Sequence, residues 1–164
     1  MQIAVLADTH WVGSDAVPER VLDLVRDAEV VVHAGDLKCE QVLESLSGDN
    51  RKVLAVRGDN FELSLANLPD TRVEDLDGFK LGIAHDIGSV QQFAIHARKP
   101  EDLFGEHVDC VIFGGTHHPF YDVFHNVPFI NPGSATDEDH LGMPGSVALL
   151  EVNGRLQQVT FVRV

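Results

Sequence analysis

With 164 residues, 44% of them hydrophobic, the chain is long enough to bury a core and short for two, so one domain over residues 1–164 is expected. Its 26 acidic and 12 basic residues give a formal net charge of -14, which disfavours a nucleic-acid partner, because gripping duplex phosphates takes clustered Lys and Arg and no cluster is present. No stretch approaches the roughly 18 uninterrupted apolar residues that span a bilayer, and no basic region precedes the first apolar run, so a cytoplasmic protein without a membrane partner is expected.

The first apolar run, residues 3–7, stops at Asp8, with His10 two places on. A continuous run of this kind is the pattern of a parallel strand covered on both faces. Val17, Val21, Leu22, Leu24, Val25 and Ala28 then recur at helical spacing, with Ser14 or Asp15 as cap and Pro18 near the first turn, where a missing N–H costs nothing. A second strand, residues 30–32, leads to Asp36. A shorter helix over residues 39–46 carries Val42, Leu43 and Leu46 and ends at Gly48 and Asn50, and a third strand, residues 53–56, leads to Asp59. This is a βαβαβ unit. Residues 80–84 read as a strand delivering His85 and Asp86, and residues 111–113 as one leading through Gly114, Gly115 and Thr116 to His117 and His118. Two short helices, residues 90–96 and 100–106, flank them. Residues 131–134 read as a turn that can also brace the site through its backbone or Ser134. Finally, strands over 147–152 and 156–162 flank Asn153 and Gly154, a pair that favours a tight hairpin, so the topology is mixed rather than wholly parallel.

Five of these strand ends present Asp or His, and ligands of open α/β sheets bind outside the carboxyl ends of the strands. Asp8, Asp36 and Asp59 are therefore expected to meet. Three carboxylates in one crevice cannot all stay ionised at neutral pH without a compensating cation. The strand-end histidines add neutral imidazole nitrogen. A mixed carboxylate and imidazole set suits Mn²⁺, Fe or Zn²⁺ better than Ca²⁺, which prefers oxygen alone, or Mg²⁺, which keeps more water. Cys39 and Cys110 stand in no metal or redox spacing, which argues against a structural zinc site. His33 is expected to pack inside the second strand with its ring hydrogen-bonded, and His96, His107, His125 and His140 to be solvated. His118 either meets substrate, serves as an acid or faces solvent. Asp86 either ligates or supports the His85 ring. The acidity has a bland reading, a solvated repulsive surface, and a sharper one, adaptation to high salt, suggested by basic residues that are few and mostly arginine, eight Arg to four Lys.

Asp8-Thr9-His10, Gly35-Asp36, Gly58-Asp59-Asn60, His85, Gly114-Gly115-Thr116-His117 and Asn131-Pro132-Gly133-Ser134 resemble, in order and over almost the whole chain, the motifs of the calcineurin-like metallophosphoesterases. The likeness is to a small single-domain branch that holds bacterial and archaeal phosphodiesterases and the small subunit of the retromer coat. It implies a four-layer α/β/β/α sandwich with mixed sheets, and two divalent ions at the sheet ends, manganese first with zinc, iron or nickel as alternatives. The implied activity is phosphoester hydrolysis, of phosphodiesters foremost, by a hydroxide held between the ions. Carried over residue by residue, the first ion takes Asp8, His10, Asp36 and His117, and Asp36 bridges to the second. The second ion takes Asp36, His85, Asp59 where the family has asparagine, and a histidine where this chain has Gly115. Asp59 still ligates, and the retromer branch shares an aspartate there. Gly115 removes a nitrogen outright, so the second ion is expected to bind less tightly. Phe61 replaces an acidic residue common in the family and Ile87 a histidine, and no residue stands out as general acid. The competing expectation is a catalytically degenerate metal-binding module, like the retromer subunit, that docks a partner through an apolar surface. A homo-oligomer is compatible with either.

Overall fold

A computed structural model of the chain describes residues 1–11, 17–48, 51–61, 63–136 and 144–164. The strands β1 (Gln2–Leu6), β2 (Val30–His33) and β3 (Lys52–Ala55) run parallel, joined through α1 (Glu19–Val25) and α2 (Glu40–Leu46). Ile3 pairs with Val30 and Ala4 with Val31. Successive side chains point to opposite faces, and where both faces are covered, at residues 3–6, 30–32 and 54–55, the strands are apolar. The βαβαβ unit thus stands as expected, with bounds shifted slightly. Pro18 precedes α1 in extended backbone (φ -60°, ψ 138°), one place before the first turn. Ser14, Asp15, Asn50 and His140 lie outside the described residues.

A second sheet follows. It is built from β4 (Thr71–Leu76), β5 (Phe79–Ala84), β6 (Cys110–Phe113), β7 (Pro119–Phe124) and β8 (Val127–Pro132), with α3 (Val90–Ala94) and α4 (Glu101–Phe104) between β5 and β6. The chain then returns to the first sheet as β9 (Ser146–Val152), antiparallel to β1, and β10 (Leu156–Arg163), antiparallel to β9. The orders are β10-β9-β1-β2-β3 and β4-β5-β6-β8-β7.

Three strands, β4, β7 and β8, are additions to the expected set. β4 and β7 are edge strands and largely solvated, so they lack the apolar runs of the inner strands. Their hairpins had a signal: Asp77 and Gly78 (φ 55° and 89°) join β4 to β5, and His125 and Asn126 (φ 55° and 63°) join β7 to β8. Asn131 and Pro132 close β8 rather than forming a turn. Both short helices stop early, α3 at Ala94 and α4 before Gly105, whose left-handed backbone (φ 75°) caps it.

The layers follow from which faces meet. Ile3, Val5, Val32 and Leu54 of the first sheet pack with Leu81, Ile83, Ile112 and Ile130 of the second. On the other face of the first sheet, Ala4, Leu6 and Val31 meet Val21 and Val25 of α1 and Val42 and Leu46 of α2. Val111, Phe113 and Phe129 of the second sheet cover Phe93 of α3, with Leu103 and Phe104 of α4 against them. The fold is a four-layer α/β/β/α sandwich with two mixed sheets. Among the described residues no helix is long and apolar enough to cross a membrane.

Candidate metal centre

The loops that leave β1, β2 and β6 carry Asp8, His10, Asp36 and His117, and all four residues have left-handed backbone, with φ of 51°, 51°, 55° and 60°. That conformation costs an L residue roughly 1–2 kcal/mol, and Asp and His are among the side chains that tolerate it. Such strain persists only where the surroundings impose it. Here Asp8 N–H donates to the Gly35 carbonyl at 3.0 Å and His10 N–H to the Asp36 carbonyl at 3.2 Å, lacing the first two loops together. The β3 loop presses against them at Gly58, where a Cβ would lie 2.1 Å from the Asp36 nitrogen, so only glycine fits.

Four side chains converge as a result. His10 Nε2 lies 3.4 Å from His117 Nε2 and 3.7 Å from Asp36 Oδ2, and His117 Nε2 lies 3.8 Å from Asp8 Oδ1. One donor atom from each of the four falls within 4.8 Å of all the others. Ligands at about 2.0–2.2 Å from one ion stand about 3–4 Å apart, which is this spacing.

His85 and Asp59 stand outside that group. The His85 Nδ1–H donates to the Ala34 carbonyl at 2.8 Å, and Nε2 faces Asp36 Oδ1 at 3.4 Å. Support of the ring therefore comes from Ala34 and not from Asp86, whose carboxylate accepts the Gly88 N–H at 2.6 Å within its own turn. Asp59 is exposed, and beside it a cavity of about 430 Å³ is lined by His85, Asp86, Ile87, Gly115 and Thr116 among others. His118 is exposed, its backbone N–H on Thr116 Oγ1.

Several bracing groups come into view only here. Asn60 donates its backbone N–H to Asp36 Oδ1 at 2.8 Å and its side-chain amide to Oδ2 at 3.1 Å. Sequence reading passed over it, although it adjoins Asp59 in the same motif. Gly115 N–H donates to Asp8 Oδ2 at 2.9 Å, and Ser134 Oγ donates to the Asp8 carbonyl at 2.7 Å. The Asn131 amide donates to the Gly114 carbonyl at 2.9 Å and Thr116 Oγ1 at 3.0 Å. The segment that closes β8 thus does brace the site.

Burial pushes the Asp8 carboxyl up to about 7 against the opposing pull of His85 and the Gly115 N–H, with Asp36 and Asp59 adding to the rise. Burial also raises Asp36, but the two Asn60 hydrogen bonds, His85 and His10 outweigh it and hold Asp36 below the usual carboxylate value. Burial and crowding therefore act on the two carboxyls in opposite net directions, Asp8 upward and Asp36 downward.

His33 is buried in β2 with Nε2 3.0 Å from Thr9 Oγ1, and burial lowers its pKa to about 3 from 6.5. Because the folded value is the lower one, its contribution to stability is complete above pH 6.5 and is lost as pH falls towards 3, at roughly 1.4 kcal/mol per pH unit. Asp8 acts in the opposite sense in metal-free protein, since its folded value of about 7 exceeds 3.8. A metal-free His33→Gln protein should therefore lose less stability than the parent between pH 6 and pH 4, as read from urea midpoints. Equal slopes would contradict a buried neutral ring.

Of the histidines expected to be solvated, His96 and His107 are exposed, whereas His125 is half-buried against His96.

The description that matches residues 1–155 is the calcineurin-like phosphoesterase superfamily domain. A probable metallophosphoesterase of Methanocaldococcus jannaschii is 32% identical over 138 residues, 83% of this chain and 69% of that protein. Among solved structures, Vps29 from Entamoeba histolytica complexed with Zn²⁺ is 28% identical with a TM-score of 0.72, over 100% of this chain and 98% of that one. An archaeal phosphodiesterase, 21% identical, covers 100% of both chains with a TM-score of 0.76, a likeness of fold.

Proposed function

Because the chain belongs to the calcineurin-like phosphoesterase superfamily, we propose that it is a metal-dependent phosphodiesterase in which Asp8, His10, Asp36 and His117 hold one divalent ion and Asp36, Asp59 and His85 a second. The convergence of four Asp and His donor atoms within 4.8 Å carries this reading. Carboxylate oxygen with imidazole nitrogen is a donor set that fits manganese first, and zinc, iron or nickel as well. Ions bound there would supply Lewis-acid neutralisation of the phosphoryl oxygens and a lowered pKa for the attacking water. The chain's own side chains do the positioning. Asn60 holds the Asp36 carboxylate in one orientation, and the Ala34 carbonyl fixes His85 as the Nδ1–H tautomer, which makes Nε2 its available donor.

No residue stands out as a general acid for the leaving group, and the candidate is His118, exposed one place beyond His117. A well-positioned general acid contributes roughly 10²–10⁴-fold. Aryl phosphodiesters, whose leaving groups depart without protonation, are therefore expected to turn over far faster than dialkyl ones. A crystal soaked in Mn²⁺ and measured by anomalous scattering counts the ions, and assay of an aryl phosphodiester tests the chemistry. Two ions with no turnover of any phosphoester would overturn the enzymatic reading.

The second reading, a degenerate metal-binding interaction module, is favoured by Gly115 and by the likeness to Vps29. Gly115→His separates the two. A Cβ there would lie 3.5 Å from His85 Nε2, an ordinary contact, although φ of +78° strains any side-chain-bearing residue by roughly 1–2 kcal/mol. The variant should melt somewhat lower, bind the second ion more tightly and turn over faster at limiting Mn²⁺, an advantage that shrinks at saturation. A gain in ion affinity without a gain in rate would favour the module.

A further inference from the structure

Away from the metal centre, two histidines from different elements meet. His96, just past α3, and His125, in the β7–β8 turn, have ring centroids 4.5 Å apart at an interplanar angle of 89°, with their Nδ1 atoms 3.3 Å from each other. His125 Nε2 donates to the Arg98 carbonyl at 3.0 Å. That bond puts the proton of the neutral ring on Nε2 and its lone pair on Nδ1, the atom turned towards His96. Both residues have left-handed backbone, φ 57° and 55°, so the turns that carry them hold the rings together against a conformational cost.

Two imidazole nitrogens at about 2.0–2.1 Å from one tetrahedral ion stand about 3.4 Å apart, so the pair already has the spacing of two ligands of a shared ion. The nearby Arg98 guanidinium is engaged on the Ile87 carbonyl at 2.8 Å and over the Phe93 ring at 5.5 Å. A net charge of -14 favours an incoming cation. We propose that His96 and His125 form a peripheral site for a divalent transition ion, ligated by the Nδ1 atom of each and otherwise by water. Donors that are imidazole only select Cu²⁺, Ni²⁺ and Zn²⁺ over Mg²⁺ and Ca²⁺, with Cu²⁺ tightest. Such an ion would tie the segment after α3 to the β7–β8 hairpin.

The test uses the full chain and Zn²⁺ alone. Calorimetric titration should show the parent binding one more ion than His96→Asn or His125→Asn, and the double variant should lose no more than either single one. Asparagine is chosen because it tolerates left-handed backbone, so the turns persist. Turnover of an aryl phosphodiester should stay within about twofold, which separates this site from the metal centre. In the unmutated protein, Cu²⁺ added beyond the two ions proposed for the metal centre should broaden the His96 and His125 ring signals in long-range ¹H–¹⁵N spectra. Equal Zn²⁺ stoichiometry in parent and double variant, or Cu²⁺ broadening confined to other histidines, would show that the rings share only a hydrogen bond.

Discussion

Asp36→Ala is expected to reduce kcat/KM for an aryl phosphodiester by about 10³-fold or more, the largest loss of any single substitution among the proposed ligands. The charge stabilisation that bound ions supply is worth several kcal/mol, and each ~1.4 kcal/mol is a factor of ten. Asp36 faces donors of both proposed sites, His10 at 3.7 Å and His85 at 3.4 Å, so its removal weakens both at once. It also strips the Asn60 backbone and amide donors of their acceptors. Asp36→Asn, of the same shape, separates loss of charge from loss of packing. Ion content by mass spectrometry should fall alongside rate in both variants and in Asp8→Ala. Variants at positions 8 and 36 that hold two ions like the parent would disprove the ligand assignment.

Chelation is expected to abolish turnover altogether, and Mn²⁺ or a similar transition ion to restore it. Among the described residues the side chains gathered at the centre are carboxylates and imidazoles, with no Lys or Arg to take over the charge neutralisation. Removing the ion should also lower thermal stability. A ligand that binds only folded protein stabilises it by about 2.7 kcal/mol at a hundred times its Kd. In addition, metal-free protein bears the cost of burying Asp8, whose carboxyl is pushed up to about 7. Full activity after exhaustive chelation, with absence of metal verified by mass spectrometry, would exclude the proposed chemistry.

Much of this was legible in the chain itself. The inner strands β1, β2, β5 and β6 stand out as apolar runs because both their faces are largely buried, the edge strand β3 shows a run where its second half is buried, and the Asp or His beyond each run marks the candidate site. The Asn153-Gly154 hairpin follows from local turn chemistry alone. Periodicity and turn preference are properties of neighbours along the chain, and neighbours along the chain are what a sequence displays. The edge strands β4 and β7 carry no buried-run pattern, so their pairing waited on the sheet they join. Asn60 on Asp36, Ala34 on His85 and Gly115 on Asp8 join residues 24, 51 and 107 places apart, and the meeting of His96 with His125 depends on a hairpin packing beside a helix end. Contacts of that range form only once neighbouring strands have paired or the two sheets have stacked and brought their loops together, so the type and order of the candidate ligands were written in the sequence, whereas their orientation was decided by the tertiary structure.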